Sequence, residues 1–401
     1  MYDIKTILDY VKEEDVKFIR LAFVDAFGNQ KNISIMPHEL ERAFNYGISI
    51  DGAAIKGFGL DVKSDLVIYP DPSTIERLPW RPSQGRVIRM FCNIKKPDGS
   101  VFECDTRSIL IKAIEDAKKL GLEFNFGSEI EFYLFKTDEF GEPTNIPYDK
   151  AGYMDIAPDD KGENVRREIC LTLEEMSILP SGSHHEEGPG QNEIDFRYSD
   201  PLKAADDATT FKSVVRTISA RNGLYASFNP KPIEDEPGNG YHINLSIKSD
   251  NNNELLEYAI EGILRHSREM TAFLNITNDS YKRLGKMMAP KYVSWSSENR
   301  SELIRIPAAK GIYKRFELRQ ADPMVNPYLA FSLLIYAAID GITNKYKLRD
   351  AVNDNLYTAK KEILDKLELL PVNLNEAKEV ARKSEFIKKH LNKNILDSYL
   401  K

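Results

Sequence analysis

Glu129-Ile130-Glu131-Phe132-Tyr133-Leu134-Phe135-Lys136 closes a predicted strand that begins at Glu123. Alternate strand residues share a face, so Glu129 and Glu131 present two carboxylates side by side on an aromatic strand. Working outward, Thr106–Leu120 and Asn164–Met176 carry helical periodicity on either side, and Tyr241–Lys248 reads as a further strand. Helical patterns follow at Asn253–Asn275, Asn326–Thr343 and Lys360–Glu368, and the Lys-rich C-terminal stretch has no Gly or Pro beyond Pro371 and reads as helix. Strands interleaved with helices make this part a large α+β domain.

Toward the N-terminus the pattern changes. Val16–Asp25 and Arg86–Ile94 are strand-like, Phe27-Gly28-Asn29 and Pro97-Asp98-Gly99 are turns, and Pro37–Tyr46 is the one helix between them. We therefore expect a small β-rich domain over residues 1–102 and a larger one over 103–401, with the boundary near Asp98–Asp105. A chain of 401 residues is too long for one compact core, which agrees with this division.

Composition narrows the class. With 42% hydrophobic and 29% charged residues the chain is an ordinary globular mixture, which excludes extensive disorder. Fifty-five basic against 62 acidic residues give a net charge of −7, no electrostatic reason to bind nucleic acid. No apolar run approaches the roughly 20 residues that span a bilayer. Cys92, Cys104 and Cys170 are an odd, widely spaced set that reads as free thiols of a reducing compartment. Met1-Tyr2-Asp3-Ile4-Lys5 opens an amphipathic helix and lacks a signal-peptide pattern, so the expectation is a cytoplasmic enzyme.

Neither a GxxxxGK[ST] loop nor a GxGxxG turn is present, and Pro189 stands where HExxH would need its second histidine. Any nucleotide must be held by metals and arginines. Besides Glu129 and Glu131, the run Ser183-His184-His185-Glu186-Glu187-Gly188-Pro189-Gly190-Gln191-Asn192-Glu193-Ile194-Asp195-Phe196 reads either as a site-forming loop or as a polar surface turn. In Gly238-Asn239-Gly240-Tyr241-His242-Ile243-Asn244-Leu245-Ser246, alternation puts His242, Asn244 and Ser246 on one strand face. In Arg315-Phe316-Glu317-Leu318-Arg319 it groups Arg315, Glu317 and Arg319, as a site or as a surface charge ladder. Together Glu129, Glu131, Glu186, Glu193, His242 and Glu317 offer mostly hard oxygen donors, which favour Mg²⁺ or Mn²⁺ over zinc and suit a two-metal phosphoryl-transfer site. Arg283, Arg300, Arg305, Arg315 and Arg319 supply guanidinium forks for carboxylates and phosphates.

These motifs, with Lys17-Phe18-Ile19-Arg20-Leu21, Ile50-Asp51-Gly52, Ser280-Tyr281-Lys282-Arg283, Asn299-Arg300-Ser301, Ile304-Arg305-Ile306-Pro307 and Asn326-Pro327-Tyr328-Leu329, resemble the type I glutamine synthetase family over nearly the whole chain. The resemblance implies a β-grasp-like N-terminal domain and a catalytic domain whose curved antiparallel sheet forms a funnel between subunits of a hexameric ring. It implies one metal at Glu131, Glu186 and Glu193 and another at Glu129, His242 and Glu317. By the same resemblance Asn244, Ser246, Arg305 and Arg315 contact ATP, while Gly238, Arg283, Arg300, Arg319 and Tyr153 contact the substrates. Asp51, Arg300 and Arg305 take part in catalysis. ATP would phosphorylate the glutamate γ-carboxylate, and ammonia would displace phosphate.

The sequence departs from the family pattern at the ammonium pocket. The flap Arg283-Leu284-Gly285-Lys286-Met287-Met288-Ala289-Pro290 carries methionine where the family has a glutamate, and Ala53 and Ala54 replace the serines that follow the aspartate-glycine pair. Two ligases remain open, one for ammonia served by Asp51 and one for another small amine, and Glu298, Glu302 or a shifted flap could supply the missing acid. A silent paralogue acting as sensor or assembly partner is the third class, which the retained carboxylates and arginines disfavour. The chain also ends at Lys401 without the C-terminal segment by which family rings pair, so a hexamer or a weakly paired dodecamer is expected.

Overall fold

The computed structural model describes residues 3–59, 65–81, 84–248, 252–309 and 311–401. The expected N-terminal helix runs Ile4–Glu13, capped by Asp3, whose carboxylate accepts from the Thr6 N–H at 2.7 Å. Met1 and Tyr2 lie outside the described residues.

The N-terminal sheet orders its strands Gln30–Ile35, Val16–Val24, Arg86–Lys95, Leu66–Pro70 and Ile48–Ile50, with Glu76–Arg77 also on Arg86–Lys95. Val16–Val24 and Arg86–Lys95 run parallel, and the other neighbours are antiparallel. The helix expected over Pro37–Tyr46 is a 3-10 turn at Pro37–Glu39 followed by an α-helix at Leu40–Tyr46. Asp105 joins this unit to the next: it caps the helix Thr106–Lys119 and its second oxygen accepts from the Ile94 N–H at 3.0 Å.

The larger sheet is built around Glu123–Thr137. On one side lie Gln191–Ser199 and then Pro180–His185; on the other lie Tyr241–Lys248, Phe316–Leu318, Ile304–Arg305 and Trp295–Ser296. Leu224–Ser227 and Pro143–Pro147 pair with its C-terminal half. All these pairings are antiparallel except the outermost one, Trp295–Ser296 with Ile304–Arg305.

Alternation along Glu123–Thr137 separates core from site. Phe124, Phe126, Ile130, Phe132 and Leu134 are buried on the helix-covered face, each contributing about 1.5–3 kcal/mol of transfer free energy. Phe126 stacks on Phe331 with centroids 4.2 Å apart, and Phe132 and Phe196 both meet Phe211. Two of the covering helices, Asn252–Leu274 and Pro327–Asn344, cross at glycines: a Cβ on Gly262 would sit 2.2 Å from the Ala337 carbonyl oxygen.

Two expectations change. The helix read over Lys360–Glu368 is confined to Lys361–Leu364, because the chain leaves it to pair with the flap's exit: Val293 N–H donates to the Glu368 carbonyl and Leu370 N–H to the Lys291 carbonyl. The C-terminal stretch forms three short helices, Leu374–Lys383, Glu385–His390 and Lys393–Leu400, with Ser384 and Asn392 side chains capping the last two.

Candidate active site

Strand register assembles the site from segments far apart in sequence. Glu131 is directly opposite Glu193, Glu129 lies between Asp195 and His242, and Asn244 lies between Gly127 and Glu317. Arg305 pairs opposite Glu317 on the next strand, and His184 pairs opposite Glu193. One sheet face therefore carries His184, Glu193, Asp195, Glu129, Glu131, His242, Asn244, Glu317 and Arg305.

The donors converge. Ligand atoms of Glu129, His242 and Glu317 lie within 4.8 Å of one another, as do those of Glu131, Glu193 and His242, and those of His184, Glu193 and Asp195. His242 is the hinge between the first two groups: Nδ1 is 3.6 Å from both Glu129 and Glu317, and Nε2 is 3.8 Å from Glu131. Glu186 lines the same cavity but stands outside these groups. Glu131 is aimed by its Oε2, which accepts from the Gly240 N–H at 2.7 Å and Gln191 Nε2 at 3.1 Å. A Cβ on Gly240 would meet His242 Nε2 at 2.7 Å, so glycine keeps this approach open.

Crowded acids in a partly dry funnel resist ionisation. Burial, followed by the Glu131 charge, pushes Glu186 up to about 8. Burial and then Glu129 raise Asp195 to about 7, and burial with Glu131, Asp195 and Glu186 raises Glu193 well above the carboxylate range. Glu317 behaves oppositely. Burial would raise it, but Arg319, His242 and Arg305 overcome that and hold it at about 2. Its Oε1 accepts from Arg319 Nη1 at 2.5 Å and its Oε2 from Arg305 Nη1 at 2.9 Å.

A cavity of about 370 Å³ opens over this face, bounded by Tyr153, Gly238, Arg283, Arg300, Arg319 and the flap methionines. Buried Arg283 spends its Nη1 on the Gln320 carbonyl, and the Tyr153 ring meets the His184 ring edge-on at 5.4 Å. A second cavity of about 560 Å³ continues past Glu129, lined by Ser128, Tyr198, Asn244, Ser246, Tyr313 and Arg315. There Arg315 Nε donates to Asn244 Oδ1 at 2.8 Å, and Asn244 Nδ2 donates to Glu129 at 2.7 Å, so the two cavities share one hydrogen-bonded wall.

Asp51 is the site residue that its own chain does not bring in. It is exposed at the start of a 3-10 turn, accepting from the Ala53 N–H, and lines neither cavity. Nor does either acid offered as a flap replacement reach the funnel. Glu298 is exposed and outside the lining, and Glu302 is fully buried against the Ser301 hydroxyl. Conversely, His184, Gln191 and Asp195 join the site although the sequence reading, which quotes them within the run Ser183–Phe196, gives them no role of their own. Gln191 and Asp195 each stand two residues from Glu193, on the same strand face, which is the signal that marks them.

Residues 103–401 match the family model described as glutamine synthetase, catalytic domain, and residues 15–97 match glutamine synthetase, beta-Grasp domain. The chain is 43% identical over 414 residues to the glutamine synthetase of Clostridium saccharobutylicum, covering 100% of this chain and 94% of that one. It is 43% identical over 409 residues to that of Methanosarcina mazei, covering 98% and 92%, and 40% identical over 407 residues to that of Staphylococcus aureus, covering 98% and 91%. Among solved structures, the chain described as "GmaS/ADP complex-Conformation 1" superposes with TM-score 0.89 at 25% identity, over 100% of this chain and 94% of that one. Plasmodium falciparum glutamine synthetase superposes with TM-score 0.87 at 22% identity over 100% and 95%, a likeness of fold.

Proposed function

The chain belongs to the glutamine synthetase family, and on that premise we propose how its own residues divide the work of joining ammonia to the γ-carboxyl of glutamate at the expense of ATP. The observation that carries this division is the convergence of two carboxylate–imidazole groups beneath a cavity ringed by Arg283, Arg300 and Arg319.

The family uses ATP and a divalent metal. The donor set fits such ions: the acids are hard oxygen donors, and Glu186, Glu193 and Asp195 are crowded enough to hold protons at neutral pH without a countercharge. Glu131, Glu186 and Glu193 would hold one Mg²⁺ or Mn²⁺, and Glu129, His242 and Glu317 another. When bound, these ions neutralise phosphate oxygens and so ease transfer to a carboxylate.

The nucleotide belongs in the cavity of Asn244, Ser246 and Arg315, which adjoins the carboxylates and carries a guanidinium group; one structural neighbour is described as an ADP complex. Arg305 and Arg315 offer guanidinium groups to its phosphates. Glutamate lies in the adjoining cavity, its α-amino group beside Gly238 and its carboxylates against Arg283, Arg300 and Arg319. A γ-glutamyl phosphate formed there has a good leaving group, which the bare carboxylate lacks. The flap excludes the water that would hydrolyse it. Asp51, exposed and outside the lining of its own chain's cavities, serves a neighbouring subunit, which asks for a homo-oligomeric ring, a hexamer or a weakly paired dodecamer. Buried free Cys92 and Cys104 suit a cytoplasmic enzyme.

A second reading, a ligase for another small amine, is favoured by Met287 and Met288 lining the cavity in place of an acid. Phosphate release from ATP plus glutamate, with ammonium and then a panel of small amines, tests both, with Met288→Glu run alongside. Ammonium should give the highest kcat/KM. A better alkylamine would transfer the function to the second reading, and no turnover with any amine would defeat both.

A further inference from the structure

The acceptor reaches a neutral-pH site mostly as a cation, so the funnel needs a carboxylate that is not already committed to metal or arginine. The acids lining the 370 Å³ cavity are Glu129, Glu131, Glu186, Glu187 and Glu193. Four belong to the groups proposed to hold divalent ions. Glu187 does not.

Glu187 follows the strand Pro180–His185, where the chain turns toward Gly188. Its N–H donates to Glu186 Oε2 at 3.1 Å, which fixes the backbone, while its own carboxylate has no hydrogen bond or ion pair among the described residues. The side chain is exposed at the cavity mouth, and its charge is felt at the Tyr357 hydroxyl. That hydroxyl donates to the Ala289 carbonyl at 2.9 Å, and Glu187 lines the same cavity as the flap residues Met287, Met288 and Ala289. The flap there offers the thioethers of Met287 and Met288, which are apolar and carry no charge. On the cavity's other walls stand Arg283, Arg300 and Arg319, which repel a cation.

We propose that Glu187 is the carboxylate that receives the acceptor's ammonium ion in this chain, in the cavity it shares with the Met287–Met288 flap. The assignment rests on the ligase reading above. Glu187 gathers and orients the cation at the mouth, leaving the acids beneath to the divalent ions. A charge at the mouth acts on the acceptor's binding and leaves glutamate and ATP to other groups.

Hydroxylamine separates charge from nucleophilicity, because it attacks acyl phosphates yet is largely uncharged at neutral pH. The test compares Glu187→Gln with the unaltered full-length enzyme in both reactions, with KM for ammonium, glutamate and ATP measured separately. Loss of a charge-assisted contact should lower kcat/KM for ammonium by about tenfold or more beyond any loss with hydroxylamine, mainly through KM for ammonium. Glu187→Asp should recover part of that loss, and adding Met288→Glu to Glu187→Gln should restore ammonium use from the flap. Equal losses with both acceptors, a matching rise in KM for glutamate, or no loss at all would overturn the assignment. An unaltered enzyme inactive with both acceptors would instead overturn the ligase reading.

Discussion

Tyr357 ties the flap to the body of the catalytic domain: its hydroxyl donates to the Ala289 carbonyl at 2.9 Å, while Arg319 Nη2 reaches the Met288 carbonyl from below. Met287 and Met288 both sit at positive φ, 38° and 67°, where side chains are strained and need outside support. Tyr357→Phe removes one of the two supports at a cost of about 1 kcal/mol. We expect faster amide exchange over 285–290 and more ATP hydrolysis in the absence of amine, as water enters. Unchanged exchange there would show that Arg319 alone suffices.

Glu317 is 1% exposed and is shared by Arg319, Arg305 and His242, so it anchors the basic wall through its own contacts. Glu317→Gln leaves Arg319 buried without its counter-charge, a loss of about 3–5 kcal/mol. Thermal unfolding in chelator should register it as a large fall in Tm. A fall seen only in the metal-loaded protein would mean that the residue matters as a ligand alone.

The alternation of Glu123–Thr137 is legible because the period of two holds across the strand, and it separates Phe126, Ile130 and Phe132 from Glu129 and Glu131 without any tertiary knowledge. Glu317 and His242 are legible as residue types, but their meeting is not. It depends on the register of Phe316–Leu318 against Tyr241–Lys248, which only pairing across some seventy residues of intervening chain sets. The helix Pro201–Arg221 went unread although Asp200 and Pro201 mark its start, since alanines and paired acids dilute its apolar stripe. Lys360–Glu368 failed for the opposite reason: local propensity favours helix, and pairing of Glu368–Leu370 with Lys291–Val293 overrides it.

The funnel's acids make the metal-free protein sensitive to alkali. Glu186 at about 8 and Asp195 at about 7 hold protons that the unfolded chain has lost by neutrality, so the native state binds more protons and stability falls as pH rises through these values. A divalent cation binds the deprotonated forms and reverses the trend. Tm in chelator should therefore decline from about pH 6 to 8 while Tm in Mg²⁺ stays level or rises, and metal binding near pH 7 should release protons in calorimetry. Parallel Tm curves would contradict the coupling.

The crossing at Gly262 and Gly341 leaves no room for a methyl group: a Cβ on Gly341 would lie 2.0 Å from the Tyr258 carbonyl oxygen. Gly262→Ala must push the helices Asn252–Leu274 and Pro327–Asn344 apart behind the sheet, which costs about 1–3 kcal/mol. Denaturant unfolding should show a lower midpoint with an unchanged slope, since the surface exposed on unfolding is the same. A neutral result would mean that the helices slide past one another at no cost.

Asp51 and Arg300 offer the sharpest test of a shared active site, because one lies outside its own chain's funnel and the other lines it. If Asp51 serves the neighbour, Asp51→Asn and Arg300→Ala disable complementary halves of each site, and oligomers of either variant alone are nearly inactive. Mixing the subunits at random in equal amounts gives each funnel an even chance of being intact, and independently an even chance of an intact neighbouring Asp51. A head-to-tail ring should then regain about one quarter of full activity. Dissociation and reassembly of the two purified variants, followed by ammonium-dependent phosphate release, measures this directly. If mixed oligomers do no better than the average of the two parents, Asp51 does not reach across to the neighbour.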